Sequence, residues 1–90
     1  MIVDVYKIVT ENSRGSNQEY SLSVEQNTCQ SLVTDLSISW LARKGKMAAL
    51  DKPNFQYCYT ELAPQFVKRV VARYGFCVLD PEQEEKRLVS

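Results

Sequence analysis

The chain has 90 residues and none of them is histidine. That absence removes the commonest general base, the Ser–His and Cys–His nucleophile pairs, and the most frequent metal ligand. Cysteine is the next residue type with chemistry to offer. Cys29, Cys58 and Cys77 are odd in number, and no two have C-x-x-C spacing. Small secreted domains usually carry an even disulfide framework, so these read as three reduced, buried thiols that pack as small hydrophobes. Three scattered cysteines completed by carboxylates make a poor zinc site, and the expectation is no metal and no cofactor. Gly15, Gly45 and Gly75 stand alone, which leaves no glycine-rich phosphate loop. Carboxylates are dense only at Glu82, Glu84 and Glu85, in a segment whose composition reads as exposed. The chain therefore reads as not an enzyme.

Charge offers more. The formal net charge is zero but unevenly spread. Residues 1–42 set Lys7 and Arg14 against Asp4, Glu11, Glu19, Glu25 and Asp35, a balance of −3. Residues 43–73 set Arg43, Lys44, Lys46, Lys52, Lys68, Arg69 and Arg73 against Asp51 and Glu61, a balance of +5. Residues 74–90 set Lys86 and Arg87 against Asp80 and the three glutamates, a balance of −2. Such asymmetry concerns partners rather than fold. Arg43, Lys44, Lys46, Lys68, Arg69 and Arg73 are the candidate contacts for an acidic partner or for phosphates. Tyr57 and Tyr59 are the candidate aromatic contacts, and Glu82, Glu84 and Glu85 are a candidate phosphate mimic.

The elements that must position these residues follow from periodicity. Ile2 to Val9 is β-branched and reads as a strand; Thr10 to Gln18 is polar and reads as a hairpin loop. Tyr20, Leu22 and Val24 alternate with Ser21 and Ser23, as in a strand with one buried face. Asn27 with Gln30 three residues on resembles a capping box, ahead of Cys29, Leu32, Val33, Leu36 and Trp40 at helical spacing. Leu36, Ile38 and Trp40 also alternate with Ser37 and Ser39, a rival strand pattern; the helix is favoured, with Gly45 as its stop. Residues 45–54 hold a short apolar patch and a turn signal at Pro53-Asn54. Phe55, Tyr57 and Tyr59 alternate as a strand. Leu62, Phe66, Val67, Val70, Val71 and Tyr74 form the stripe of a second helix, with Pro64 in its first turn and Gly75 as its cap. Phe76 to Leu79 reads as a short strand ended by Asp80-Pro81.

The expected architecture is a small single α+β domain over residues 1–80, in β-β-α-β-α-β order. Its two helices would pack on one face of a mainly antiparallel sheet, and residues 81–90 would form a charged tail, either solvated or a short helix. Asp4 and Lys7 interrupt any secretory hydrophobic region, and no uninterrupted apolar stretch exceeds four residues. A cytoplasmic location, in a cell or an infected host, is expected, with no membrane partner.

Two nucleic-acid motifs fail on context. Arg73-Tyr74-Gly75-Phe76-Cys77-Val78 has residue types of an RNA-recognition strand, but Tyr74 closes a helix and Gly75 caps it. No pair of well-formed helices is joined by a short turn, so a helix-turn-helix is also unsupported. The leading expectation is a small non-catalytic protein-binding module that covers a functional surface of a macromolecular partner. Accessory inhibitors of host or defence proteins carried by phages and mobile elements are of this type, and the partner would be a nucleic-acid-processing or defence complex. The alternatives are a small nucleic-acid-binding regulator using residues 43–73, and a structural subunit or homodimer paired through an exposed strand among Ile2–Val9, Tyr20–Val24 or Phe55–Tyr59.

Overall fold

A computed structural model describes residues 1–11, 17–46 and 54–89, with backbone alone at 56, 57, 88 and 89. Its elements are β1 (Ile2–Glu11), β2 (Asn17–Glu25), α1 (Gln30–Arg43), β3 (Asn54–Leu62), α2 (Gln65–Tyr74), β4 (Phe76–Leu79) and α3 (Pro81–Val89). The described strands form one antiparallel sheet in the order β3-β1-β2-β4. The small α+β domain with its antiparallel sheet is thus as the pattern predicts, with a third helix added.

The ladder between β1 and β2 runs from Val3↔Glu25 to Glu11↔Asn17. It takes in Thr10, Glu11, Asn17 and Gln18, which composition alone assigns to a loop. Backbone groups satisfy one another whatever the polarity of their side chains, so the hairpin zips beyond its apolar part. The apolar patch after Gly45 falls mostly on residues 47–53, outside the described residues. Asn54 is not a turn residue but the first of β3.

The helices do not share a face of the sheet. Val33 and Leu41 of α1 pack with Ile8, Tyr20, Leu22, Val24 and Val78. Val67 and Val71 of α2 pack with Val3, Val5, Cys77 and Leu79. Neighbouring residues of a strand point to opposite sides, so Val78 and the pair Cys77 and Leu79 put α1 and α2 on opposite faces. Strands β1 and β4 carry apolar residues on both faces, and covering only one would leave the other wet. A register shift between Lys7 and Ile8 in the β1–β3 ladder lets β3 serve both: Phe55 packs in the α1 cluster and Tyr59 in the α2 cluster.

Strand β2 is also buried on both sides. Every residue from Tyr20 to Val24 is buried, the serines included. Ser23 accepts from Arg87 of α3 and Ser21 from Lys7 of β1 rather than facing solvent, which corrects the one-face reading of their alternation.

Helix α1 starts at Gln30, not at Asn27. Asn27 has φ 67° and turns the chain after β2, its N–H donating to Asp4 Oδ2 at 3.0 Å. Asparagine tolerates this left-handed conformation better than most residues, which suits it to the turn. The serines and threonines that blurred this helix bond the preceding turn. Thr34 Oγ1 donates to the Gln30 carbonyl at 3.0 Å and Ser37 Oγ to the Thr34 carbonyl at 2.9 Å. Ser37 lies fully buried between Val33 and Leu41 on the inward row, so that row holds a polar residue at its centre.

Candidate functional site

Helix α1 ends in two hydrogen bonds of a Schellman turn. Gly45 N–H donates to the Ala42 carbonyl at 3.1 Å and Lys46 N–H to the Leu41 carbonyl at 2.9 Å, with Gly45 at φ 69°. The turn leaves Arg43, Lys44 and Lys46 exposed at the negative end of the helix dipole. Two contacts hold the first two in place. Arg43 Nε donates to the Ser39 carbonyl at 3.4 Å, and Lys44 Nζ sits 5.7 Å from the centre of the Trp40 ring.

Helix α2 presents Phe66, Val70 and Tyr74 at i, i+4 and i+8, beside the core pair Val67 and Val71. On a helical wheel this apolar stripe covers about 140°, so part of it lies beyond the sheet. Tyr74 is 63% exposed, with the Arg73 guanidinium 5.5 Å from its ring centre. Gly75, at φ 87°, donates its N–H to the Val71 carbonyl at 2.8 Å and turns the chain into β4.

Strand β4 pairs with β2 on one side only, Leu22↔Val78 and Ser23↔Cys77 lying at its centre. Its other side is an edge of the described sheet. A groove of about 750 Å³ follows that edge. Trp40 and Arg43 of α1 with the capping Lys44 form one wall, and Phe66, Val70 and Tyr74 form the other. Residues Phe76 to Leu79 make the floor, and Gln83 and Lys86 of α3 close one end. Among the described residues the lining contains three cations and no carboxylate. Neither Arg43 nor Lys44 makes an ion pair with a described carboxylate.

The sequence-predicted basic surface is therefore divided. Arg43 and Lys44 line the groove, and Arg73 stands beside its Tyr74. Lys46 is exposed beyond the α1 turn, and Lys68 and Arg69 are exposed on α2, away from the groove lining. Tyr59 is not a surface aromatic; it is half-buried against the Val3 and Val5 cluster and hydrogen-bonds Arg87. Tyr57 pairs with Lys7 in the ladder, and its side chain lies outside the described residues.

The acidic candidates are divided too. Glu82 and Glu85 are exposed. Glu84 pairs with Lys7 at 3.2 Å and stands 3.8 Å from Arg87 Nε. Arg87 is 3% exposed, donates to Ser23 Oγ at 2.6 Å, and is ion-paired to Glu61. Lys7 donates to Ser21 Oγ at 2.7 Å. Residues 81–89 are thus a helix anchored to the sheet through its charges, not a solvated tail, and Glu84 is engaged in that anchor. Asp80 caps the helix: Gln83 N–H donates to Asp80 Oδ1 at 2.9 Å and Asp80 N–H to Gln83 Oε1 at 3.3 Å. This is a capping box with Pro81 at the first helical position.

The thiols differ from one another. Only Cys77 is buried; Cys29 and Cys58 are exposed, because Cys29 precedes α1 at its open end and Cys58 lies on β3 at the far edge of the described sheet. Burial pushes the Cys77 thiol up to about 11, with Glu84 adding to the rise. A hydrogen bond from Ser31, and then the Leu32 N–H, draws the Cys29 thiol below its ordinary range. Among the described residues no group of three metal-ligating side chains converges, and no helix is long and apolar enough to cross a membrane.

Comparison with family models, with curated proteins and with solved structures finds no match.

The edge of β4 is what sequence reasoning missed. Strands β1 and β2 are interior to the sheet, so neither can be the pairing edge expected of Ile2–Val9 or Tyr20–Val24. Among the described strands, the edges are β3 and β4. The width of the α2 stripe was the available signal, since it exceeds what one face of a short helix buries.

Proposed function

We propose that this chain is a non-catalytic protein-binding module that covers a functional surface of a macromolecular partner, with the β4 groove as its contact. The observation that carries the reading is the make-up of that groove: an edge of the described sheet as floor, one apolar wall facing one of Trp40 and two cations, and, among the described residues, a lining without a carboxylate. The apolar wall supplies binding energy and a one-signed rim selects an acidic partner surface. The basic face is favoured over the acidic one because Glu84 is already engaged by Lys7 and lies near Arg87. The lack of histidine and the high thiol pKa of Cys77, the cysteine in the groove, support a role without catalysis. The setting we propose is that of a phage or mobile-element accessory protein inhibiting a host or defence protein in the cytoplasm.

Affinity capture with paired charge reversals tests the reading. The wild-type chain should recover a stoichiometric partner, Arg43→Glu/Lys44→Glu should lose it, and Lys68→Glu/Arg69→Glu should keep it. Recovery of no partner, or its loss only with the second pair, would overturn the proposal.

A further inference from the structure

The floor of the groove is an edge of the described sheet. Alternate residues of an edge strand direct their N–H and C=O groups outwards, where an extended chain can pair with them. Strand β4 is four residues long, which at about 3.3 Å per residue spans about 13 Å. A peptide of four or five residues laid along it would send alternate side chains to opposite faces of the sheet. One set would meet Trp40 and Arg43 of α1 with the capping Lys44; the other would meet Phe66, Val70 and Tyr74 of α2. The first wall carries two cations that make no ion pair with a described carboxylate, and the second is apolar. The two walls ask different things of successive residues.

We infer that the occupant of the groove is an extended acidic segment of the partner, added to the sheet as a strand beside β4. Its acidic side chains at i and i+2 face Arg43 and Lys44, and an apolar side chain at i+1 enters between Phe66, Val70 and Tyr74. This rests on the reading of the groove as the protein-binding contact and adds to it the partner's conformation and pattern. Backbone pairing fixes the segment as extended, and charge complementarity fixes its sign.

The test uses the full chain and a fluorescein-labelled peptide, acetyl-Ser-Glu-Val-Glu-Phe-Glu-Ser-amide, followed by anisotropy. A Kd of about 10–100 μM is expected, at the weak end for a small contact. Replacing the glutamates by lysine, or using Arg43→Glu/Lys44→Glu, should weaken binding at least tenfold. Two peptides N-methylated on alternate sets of amides separate strand addition from side-chain capture. Only one set faces β4, so one should lose at least tenfold and the other should bind nearly as the parent does. Amide exchange at Phe76–Leu79 should slow on binding. Equal effects of the two methylated peptides, or tighter binding of a ten-residue oligothymidylate than of the acidic peptide, would overturn the inference. If the peptide fails while Arg43→Glu/Lys44→Glu still loses the captured partner, strand addition falls and the protein-binding reading stands.

Discussion

Truncating Arg87 gives the most exacting test of how this sheet is held together. The side chain is 1% exposed, ion-paired to Glu61, 3.8 Å from Glu84 through Nε, and bonded to Ser23 Oγ at 2.6 Å. Removing one partner of a buried ion pair costs about 3–5 kcal/mol, most of it from the charge left behind. Two features reduce that figure here. The Glu61 side chain is 29% exposed and can take up water, and Glu84 keeps Lys7 at 3.2 Å. The Ser23 hydroxyl would lose its donor, and the arginine stem its packing. For Arg87→Ala these effects together give about 2–4 kcal/mol. A domain of this length holds about 5–13 kcal/mol in all, so the fall in Tm should be about 10–25 °C. Arg87→Lys keeps the charge but not the planar fork, and should cost about half as much. Urea unfolding followed by circular dichroism, with the slope unchanged between variants, gives the number. Arg69→Ala, on the exposed face of α2, should stay within about 0.5 kcal/mol of wild type. A loss below about 0.5 kcal/mol for Arg87→Ala would refute the anchoring of α3 and return residues 81–89 to the status of a tail.

Other outcomes follow from the same geometry. In the native chain an aromatic disulfide reagent at neutral pH should titrate two thiols rapidly, Cys29 and Cys58, and the third only after unfolding; three fast thiols would contradict the burial of Cys77. Because the Cys77 thiol is raised to about 11 when folded, the folded state holds its proton more tightly than the unfolded chain does. Its contribution is therefore complete below about pH 9 and is lost as pH rises towards 11, on the order of 2 kcal/mol. Wild type should accordingly lose more stability than Cys77→Ala across that range, and parallel curves would count against it. Gly75→Ala, at φ 87° with open space around the added carbon, should cost about 1 kcal/mol through backbone conformation alone. A stabilised variant in thermal melts would show that the left-handed turn is not required. A mobility-shift titration with duplex DNA at low and moderate salt should show no shift, since Lys68 and Arg69 lie off the groove and Tyr59 is packed; a salt-sensitive shift would favour the nucleic-acid regulator instead.

Much of the fold is legible in the residues themselves. The stripe of α2, the glycines at 45 and 75 and the alternation around Tyr20 each carry a local rule, and each leads to the element observed. What escaped depends on partners distant in sequence. Ser21 and Ser23 look solvent-facing because polar residues usually are, yet an arginine 64 residues beyond Ser23 bonds its hydroxyl. The placement of α1 and α2 on opposite faces needs the strand order, which local periodicity does not contain. Asp80-Pro81-Glu82-Gln83 is different: it holds a complete capping box, legible in the sequence, but the Asp-Pro pair reads as a strand stop and hides the helix start. The candidate site was half visible. Arg43 and Lys44 stand out by charge, whereas Phe66, Val70 and Tyr74 read as core, and the β4 edge emerges only from the topology.

We place the contact with the partner protein in the groove beside β4. Site-specific photo-crosslinking in the source cell tests it most directly, with benzoylphenylalanine placed at Tyr74 in the groove wall and at Arg69 outside it. A discrete adduct with one protein from position 74, and none from position 69, is the predicted result. An adduct from position 69 alone, or from neither, would contradict it.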